Sequence, residues 1–295
     1  MARLMEQFYV LILALVFSIT AYAQSIDESP KPFQMGEVRT IHSEVLGRSY
    51  DLFVKLPPGY QAATNSSQRY PVIYLNDGYY CWVTAVGVVQ AAFHMGGYEK
   101  AILVGLSYAK GEGGMSSRTR DMTPTKDNNW KQETGGARGY LTLFKEEIIP
   151  FIEQAYRADS NRRILAGQSF GGLFGAYALI EEPGLFQDYI LTSPSLWFDN
   201  EAMFDLEEKA AKAGRILSGR VYFATGETET PANGVARNNM VGQQEAFAKR
   251  LRSRGYENLD VRDEIMEGGT HLSTFPIGLT RALRWLLPGS KIYAG

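Results

Sequence analysis

The sequence predicts a doubly wound α/β fold built on a mostly parallel sheet flanked by helices. Short runs that are apolar almost throughout alternate with helix-like segments, which is the pattern of a sheet covered on both faces. The composition agrees: 295 residues, 45% hydrophobic and 21% charged, is an ordinary globular balance with enough apolar material for one large core. The 30 Lys and Arg nearly offset the 32 Asp and Glu, leaving a net charge of −2, so no basic surplus draws the chain to nucleic acid.

At the amino terminus, Arg3 precedes an apolar run over residues 8–16 that Ile19 extends, followed by small residues at Ala21 and Ala23. This is the pattern of a signal peptide cut after Ala23, which makes the mature chain periplasmic or secreted. At ~1.5 Å per residue the run reaches about 18 Å, short of the roughly 30 Å hydrocarbon core, so stable membrane insertion is not expected. Residues 24–35 are mostly polar and read as a flexible leader, with the folded domain over 36–295. Alternation over 38–56 predicts an antiparallel pair of edge strands that turns at Leu46-Gly47-Arg48 and stops at Pro57-Pro58-Gly59. Further strands are expected at 72–75, 102–106, 164–166, 189–192, 221–224 and 261–265, with helices at 139–156, 170–180, 202–212, 242–254 and 276–287. Residues 110–138, rich in Gly, Ser, Thr and charge, are expected to form a long loop at the rim of a site lying at the carboxyl ends of the strands. The single cysteine, Cys81, cannot form an internal disulfide and reads as a small buried hydrophobe.

The strongest motif is Gly167-Gln168-Ser169-Phe170-Gly171-Gly172, set between the apolar strand at 164–166 and the helical pattern that follows. This is the G-x-S-x-G nucleophile elbow in the strand-to-helix context it requires, and it specifies the α/β-hydrolase version of the fold. A side chain at Gly167 or Gly171 would meet the neighbouring strand or helix, so the turn is tight and Ser169 is pushed out above the sheet as the nucleophile. The amide of Phe170, at the start of the following helix, points where an oxyanion forms.

A serine hydroxyl needs a base, and the chain offers only three histidines. His42 and His94 precede Ser169, whereas the hydrolase topology runs in the order Ser, acid, His; His271 alone satisfies it. The acid belongs on the loop after the strand at 221–224, where Thr225-Gly226-Glu227-Thr228-Glu229 offers Glu227 or Glu229 to orient the imidazole. Glu229, farther from the strand end, has more freedom to turn back toward His271.

A second oxyanion donor is expected on the loop Asn76-Asp77-Gly78-Tyr79, from the amide of Tyr79 or alternatively Gly78. Gly105 and Ser107 end the next strand and could line the pocket floor. Trp197, in Ser193-Pro194-Ser195-Leu196-Trp197-Phe198, is placed at the mouth, where an apolar or aromatic substrate portion suits it. Arg118 and Arg120, with Arg138, could bind an anionic substrate group, or equally pair with Asp121 and neighbouring carboxylates as structural clips.

These residues resemble the esterase family of α/β-hydrolases that includes the siderophore esterases acting on enterobactin-type trilactones. The resemblance covers nearly the whole mature chain. It is carried by Leu56-Pro-Pro-Gly-Tyr60, Tyr70-Pro-Val-Ile-Tyr-Leu-Asn-Asp-Gly78, Arg118-Thr-Arg-Asp-Met-Thr-Pro124, Gly135-Gly-Ala137, the elbow, Ser193-Pro-Ser-Leu-Trp197, Gly226-Glu-Thr-Glu229 and His271. The family's G-x-x-E pattern falls on Gly226 and Glu229, which favours Glu229 as the acid. The resemblance implies ester hydrolysis with no metal or organic cofactor, on a small-molecule ester with a ferric siderophore as one candidate; related members also cleave feruloyl, acetyl and other small esters. The chain departs from some siderophore enzymes in carrying a glutamate where they rely on a Ser and His pair. Two competing readings keep the scaffold: an acyltransferase that passes the acyl group to a sugar or lipid, and a binding protein that has lost catalysis. A serine peptidase is disfavoured, because the chain has no obvious second domain to restrict peptide entry.

Overall fold

The computed structural model describes residues 35–233 and 238–290, so the expected signal peptide (1–23) and all but the last residue of the leader (24–35) lie outside the described residues. In chain order the elements are β1 (Glu37–Ser43), β2 (Arg48–Lys55), β3 (Tyr70–Leu75), α1 (Gly78–Met95), β4 (Ile102–Leu106), α2 (Gly114–Met122) and α3 (Ala137–Leu143). A π turn (Phe144–Ile148) leads into α4 (Ile149–Ala155), followed by β5 (Ala158–Gln168), α5 (Phe170–Glu181), β6 (Asp188–Thr192), α6 (Phe198–Lys212), β7 (Gly219–Gly226), α7 (Met240–Ser253), β8 (Leu259–Met266) and α8 (Thr274–Leu286). Among the described residues no helix is long and apolar enough to cross a membrane.

The strands form one eight-stranded sheet in the order β1-β2-β4-β3-β5-β6-β7-β8. β2 runs antiparallel to both β1 and β4, and every pair from β4 to β8 is parallel. This is the α/β-hydrolase fold. One expectation is corrected here: β1 is an edge strand but β2 is not. Tyr50, Leu52 and Val54 of β2 are buried, and its second edge is paired to β4, so of this pair β1 alone has an edge that is unpaired among the described residues.

Side chains alternate across the sheet and divide the core in two. Tyr70, Val72 and Tyr74 of β3 join a core with α3, α5, α6 and α7, while Ile73 and Leu75 face a second core built from α1 and α8. Two helices lie where the sequence analysis assigns none. α1 buries Cys81, Trp82, Ala85, Val86, Val89 and Phe93, a one-face helical spacing. α2 lies inside residues 110–138, so that stretch is not one long loop. The remainder, 123–136, is closed at its neck by hydrogen bonds from Gly135 N to Thr123 Oγ1 (2.8 Å) and from Gly136 N to Arg120 O (2.8 Å). Cys81 is fully buried, and desolvation pushes its thiol pKa well up, as the reading of a small hydrophobe requires.

Candidate active site

Ser169 stands alone between the last residue of β5 and the first of α5, at φ 59° and ψ −118°. Such dihedrals cost a non-glycine residue on the order of 1–3 kcal/mol and persist only where the surroundings impose them. The imposition here is steric, since a Cβ on Gly167 would sit 2.4 Å from the Gly171 carbonyl carbon and oxygen. The Ser169 amide donates to Thr192 O (3.0 Å), and its carbonyl accepts from Leu173 N (2.9 Å) and Ser195 N (3.1 Å). Ser169 Oγ lies 3.2 Å from Ser195 Oγ. Among the described residues no hydrogen bond joins it to His271, although both side chains line one pocket.

His271 lies in the loop after β8, with Nδ1 2.6 Å from Glu229 Oε2. Glu229, just past β7, is buried, while the His271 side chain is 41% exposed, so the carboxylate is dry and the imidazole reaches the pocket. Glu229 Oε1 accepts from Ser193 Oγ (2.7 Å) and Gly226 N (2.8 Å). Glu227 is exposed and instead accepts from Gly268 N (2.9 Å). Of the two glutamates, only Glu229 is brought to His271. What brings it is a close approach of two loops, in which a Cβ on Gly226 would lie 2.5 Å from the Gly269 carbonyl carbon. Thr228 then donates to Gly269 O through both its amide (3.1 Å) and its hydroxyl (2.8 Å), and Glu227 N donates to Met266 O (3.0 Å).

The amides of Phe170, at the start of α5, and of Gly78 and Tyr79, at the start of α1, have no acceptor among the described residues. Two helix N-termini thus bring free donors and positive potential to the same end of the sheet. Asn76 ties them together, its Nδ2 donating to Gly171 O (3.2 Å). Asp77, between Asn76 and Gly78, is left-handed (φ 55°, ψ 49°) and buried.

Arg118 of α2 holds the Asp77 carboxylate through Nε (2.8 Å) and Nη2 (2.9 Å), with its guanidinium 5.2 Å from the Phe170 ring centre. Burial alone would lower its pKa; the hydrogen bonds and charge of Asp77 outweigh that and raise it. Arg118 lines the pocket, and its Nη1 has no partner among the described residues. Arg118→Ala would leave Asp77 buried and unpaired, and is expected to destabilise the fold by about 3 kcal/mol, the low end for such an orphaned charge because the open pocket admits water. The midpoint and slope of urea unfolding measure it; a loss under 1 kcal/mol would show the clip to be dispensable.

Arg120 has to be withdrawn as a substrate contact. Its Nε and Nη2 bond Asp121 (2.8 and 3.1 Å) and its Nη1 bonds Glu112 (2.5 Å), so its donors are committed to a buried clip away from the pocket. Trp197 is corrected for a different reason: its ring packs on Trp130 (5.9 Å) and Phe170 (6.0 Å), closing an aromatic cluster with Phe198 rather than lining the pocket. Gly105 is no pocket floor, since a Cβ there would meet the Trp82 ring at 2.9 Å, and Ser107 Oγ is engaged with Asp51 N (2.8 Å). The pocket, about 260 Å³, is lined by Asp77, Tyr80, Tyr108, Met115, Arg118, Gln168, Ser169 and His271. Tyr80, Tyr108 and Met115 are missed by the sequence analysis. Tyr108, directly after β4 and next to Ser107, is the one its position at a strand's carboxyl end could have revealed.

The chain matches the family model described as "Putative esterase" over residues 43–286. It is 30% identical over 267 residues to the ferri-bacillibactin esterase BesA of Bacillus subtilis, covering 85% of this chain and 89% of that protein. It is 27% identical over 213 residues to a siderophore enterobactin esterase of Emericella nidulans, covering 66% of this chain and 68% of the relative. Among solved structures, it is similar to the BES protein of Bacillus cereus with a TM-score of 0.75 at 27% identity, over 89% of this chain and 98% of that one. With the family model spanning every strand of the sheet beyond β1, the chain belongs to this esterase family of the α/β-hydrolases.

Proposed function

We propose that this protein is a serine esterase that opens carboxylic esters through an acyl-enzyme, with siderophore esters as its substrate class. The observation that carries this is the buried Glu229 carboxylate 2.6 Å from His271 Nδ1, with His271 and the strained Ser169 lining one pocket. In the reacting complex Ser169 Oγ exchanges Ser195 for His271 Nε2, since catalytic hydrogen bonds are often unformed until substrate binds. Ser169 Oγ then attacks the ester carbonyl and its proton passes to Nε2, leaving imidazolium beside Glu229. The carbonyl oxygen becomes an oxyanion that accepts hydrogen bonds from the amides of Phe170 and Tyr79. Collapse expels the alcohol, which takes the Nε2 proton, and water activated by the same nitrogen hydrolyses the acyl-enzyme.

Tyr80, Tyr108 and Met115 give the pocket apolar and aromatic walls, and Arg118 Nη1 adds one free cationic donor. About 260 Å³ accommodates a single substituted aromatic ring, so a larger ester would keep most of its bulk outside the mouth. The names of the relatives support a siderophore ester, and the pattern of Arg3, residues 8–16 and Ala23 supports action outside the cytoplasm. The test is mass spectrometry of products from ferric enterobactin and from a p-nitrophenyl ester series, each with wild type and Ser169→Ala. Serine-dependent conversion of the trilactone to linear fragments is expected. Turnover of the simple esters alone would move the substrate class to small acyl esters.

A further inference from the structure

We infer that Thr274 and Ser193 are positioning residues that aim the Glu229 carboxylate at His271 through a buried relay of hydroxyl donors. The inference rests on the reading of Ser169, His271 and Glu229 as the catalytic set. Ser193 follows β6 and is fully buried, at φ 41°. That left-handed conformation is strained for serine, and its amide is tied to Ala224 O (2.6 Å) on the neighbouring strand. The conformation places Ser193 Oγ between two partners, Glu229 Oε1 and Thr274 Oγ1, each at 2.7 Å. Thr274 opens α8, is fully buried, and its Oγ1 is also 3.1 Å from His271 O. Gln168, the residue before Ser169, donates from Nε2 to His271 O and, at 3.4 Å, to Thr274 Oγ1.

The donors can be ordered. A carboxylate only accepts, so the Ser193 hydroxyl proton goes to Glu229 Oε1. Ser193 Oγ is then the acceptor from Thr274, whose proton takes the 2.7 Å path to Ser193 rather than the 3.1 Å path to His271 O. His271 O also only accepts, which fixes the Gln168 amide with Nε2 toward it. The result is a chain, Gln168 Nε2–H to Thr274 Oγ1–H to Ser193 Oγ–H to Glu229 Oε1, in which every dipole points toward the carboxylate and each bond polarises the next. With Gly226 N also on Oε1, one carboxylate oxygen is saturated and the other, Oε2, is left for His271. The chain ends at both residues that flank catalysis: Gln168 is bonded to the carbonyl of the base and precedes the nucleophile. None of these hydroxyls lines the pocket except through Gln168, so their action is on geometry, not on substrate.

Thr274→Val removes the first of the two hydroxyls with almost no change of shape, and Thr274→Ser keeps it. With p-nitrophenyl butyrate, Thr274→Val is expected to lower kcat by about 10- to 100-fold with KM within about twofold, because a misaimed acid spoils proton transfer and not binding. Labelling of Ser169 by a fluorophosphonate should slow by a similar factor, since it depends on the same base. Thr274→Ser should recover most of that loss, and Ser193→Ala should match Thr274→Val, with thermal midpoints recorded for every variant. A Thr274→Val enzyme within twofold of wild type overturns the proposal, as does an equal loss in Thr274→Val and Thr274→Ser, which would assign the effect to packing. Hydrolysis that survives Ser169→Ala overturns the catalytic reading and this proposal together; a dead Ser169→Ala beside an unaffected Thr274→Val overturns the relay alone.

Discussion

Ser169→Ala is expected to lower kcat for p-nitrophenyl butyrate by about 10⁶-fold, close to 8 kcal/mol of transition-state stabilisation, while KM changes little. The size follows from what is removed. Without Oγ no acyl-enzyme forms, and only the pocket and the free amides of Phe170, Gly78 and Tyr79 remain to act on an ester. His271→Ala should lose nearly as much, and the double variant hardly more than either, because in the proposed mechanism nucleophile and base work as one unit. Stopped-time assays with mass-spectrometric search for an acylated Ser169 provide the check. Additive losses in the double variant, or a Ser169→Ala enzyme with a tenth of the wild-type rate, would require another nucleophile.

The second large effect is expected at Glu229. Glu229→Gln should lower kcat by about 10⁴-fold, more than the loss of one charge in a polar site suggests. The hydrogen bonds say why. Ser193 Oγ and Gly226 N both donate to the Oε1 position, so the amide of glutamine turns its oxygen to them and presents its NH₂ to His271 Nδ1. An N–H offered to Nδ1 selects the tautomer with the proton on Nε2, and that nitrogen can no longer take a proton from Ser169. Glu227→Gln should stay within about threefold of wild type, since that residue is exposed and, among the described residues, its carboxylate accepts only from the Gly268 amide. Side-by-side kcat values for the two variants decide it. Equal losses would mean that the loop, not the carboxylate beside His271, carries the effect.

The parts of the candidate site that were legible in the sequence are those set by chain order and local sterics. Ser169 is announced by glycines that a tight elbow demands, and His271 by being the one histidine after it. The choice between Glu229 and Glu227 was not legible from the residues alone, because it depends on how closely the loops after β7 and β8 approach at Gly226 and Gly269. The family pattern pointed to Glu229 without supplying that reason. Arg118 and Arg120 look alike in the sequence and end in opposite places because they sit two positions apart on α2, about 200° around the helix. With α2 unassigned, nothing could separate them. α1 was hidden differently: its Tyr, Trp, Val and Thr residues have modest helix propensity, and Asp77 and Gly78 read as a turn, although the burial at Cys81, Ala85, Val89 and Phe93 has helical spacing. Trp197 was misplaced because an aromatic residue after a strand fits a mouth as well as a core. Trp130, brought in from residues 123–136, settles which.

The glycine-on-glycine contact between the loops after β7 and β8 sets the terms on which this enzyme can be redesigned. Gly226 and Gly269 leave no space for a Cβ, and Thr228 has both its donors on Gly269 O, so Glu229 and His271 are carried by one interlocked pair of loops. A graft that exchanged either loop alone, to borrow a relative's mouth or widen the entrance, would strip the other of its template. The two must be transplanted as a single cassette. The pocket wall on α1 and α2, with Tyr80 and Met115, belongs to a different part of the chain and can be varied without touching that cassette.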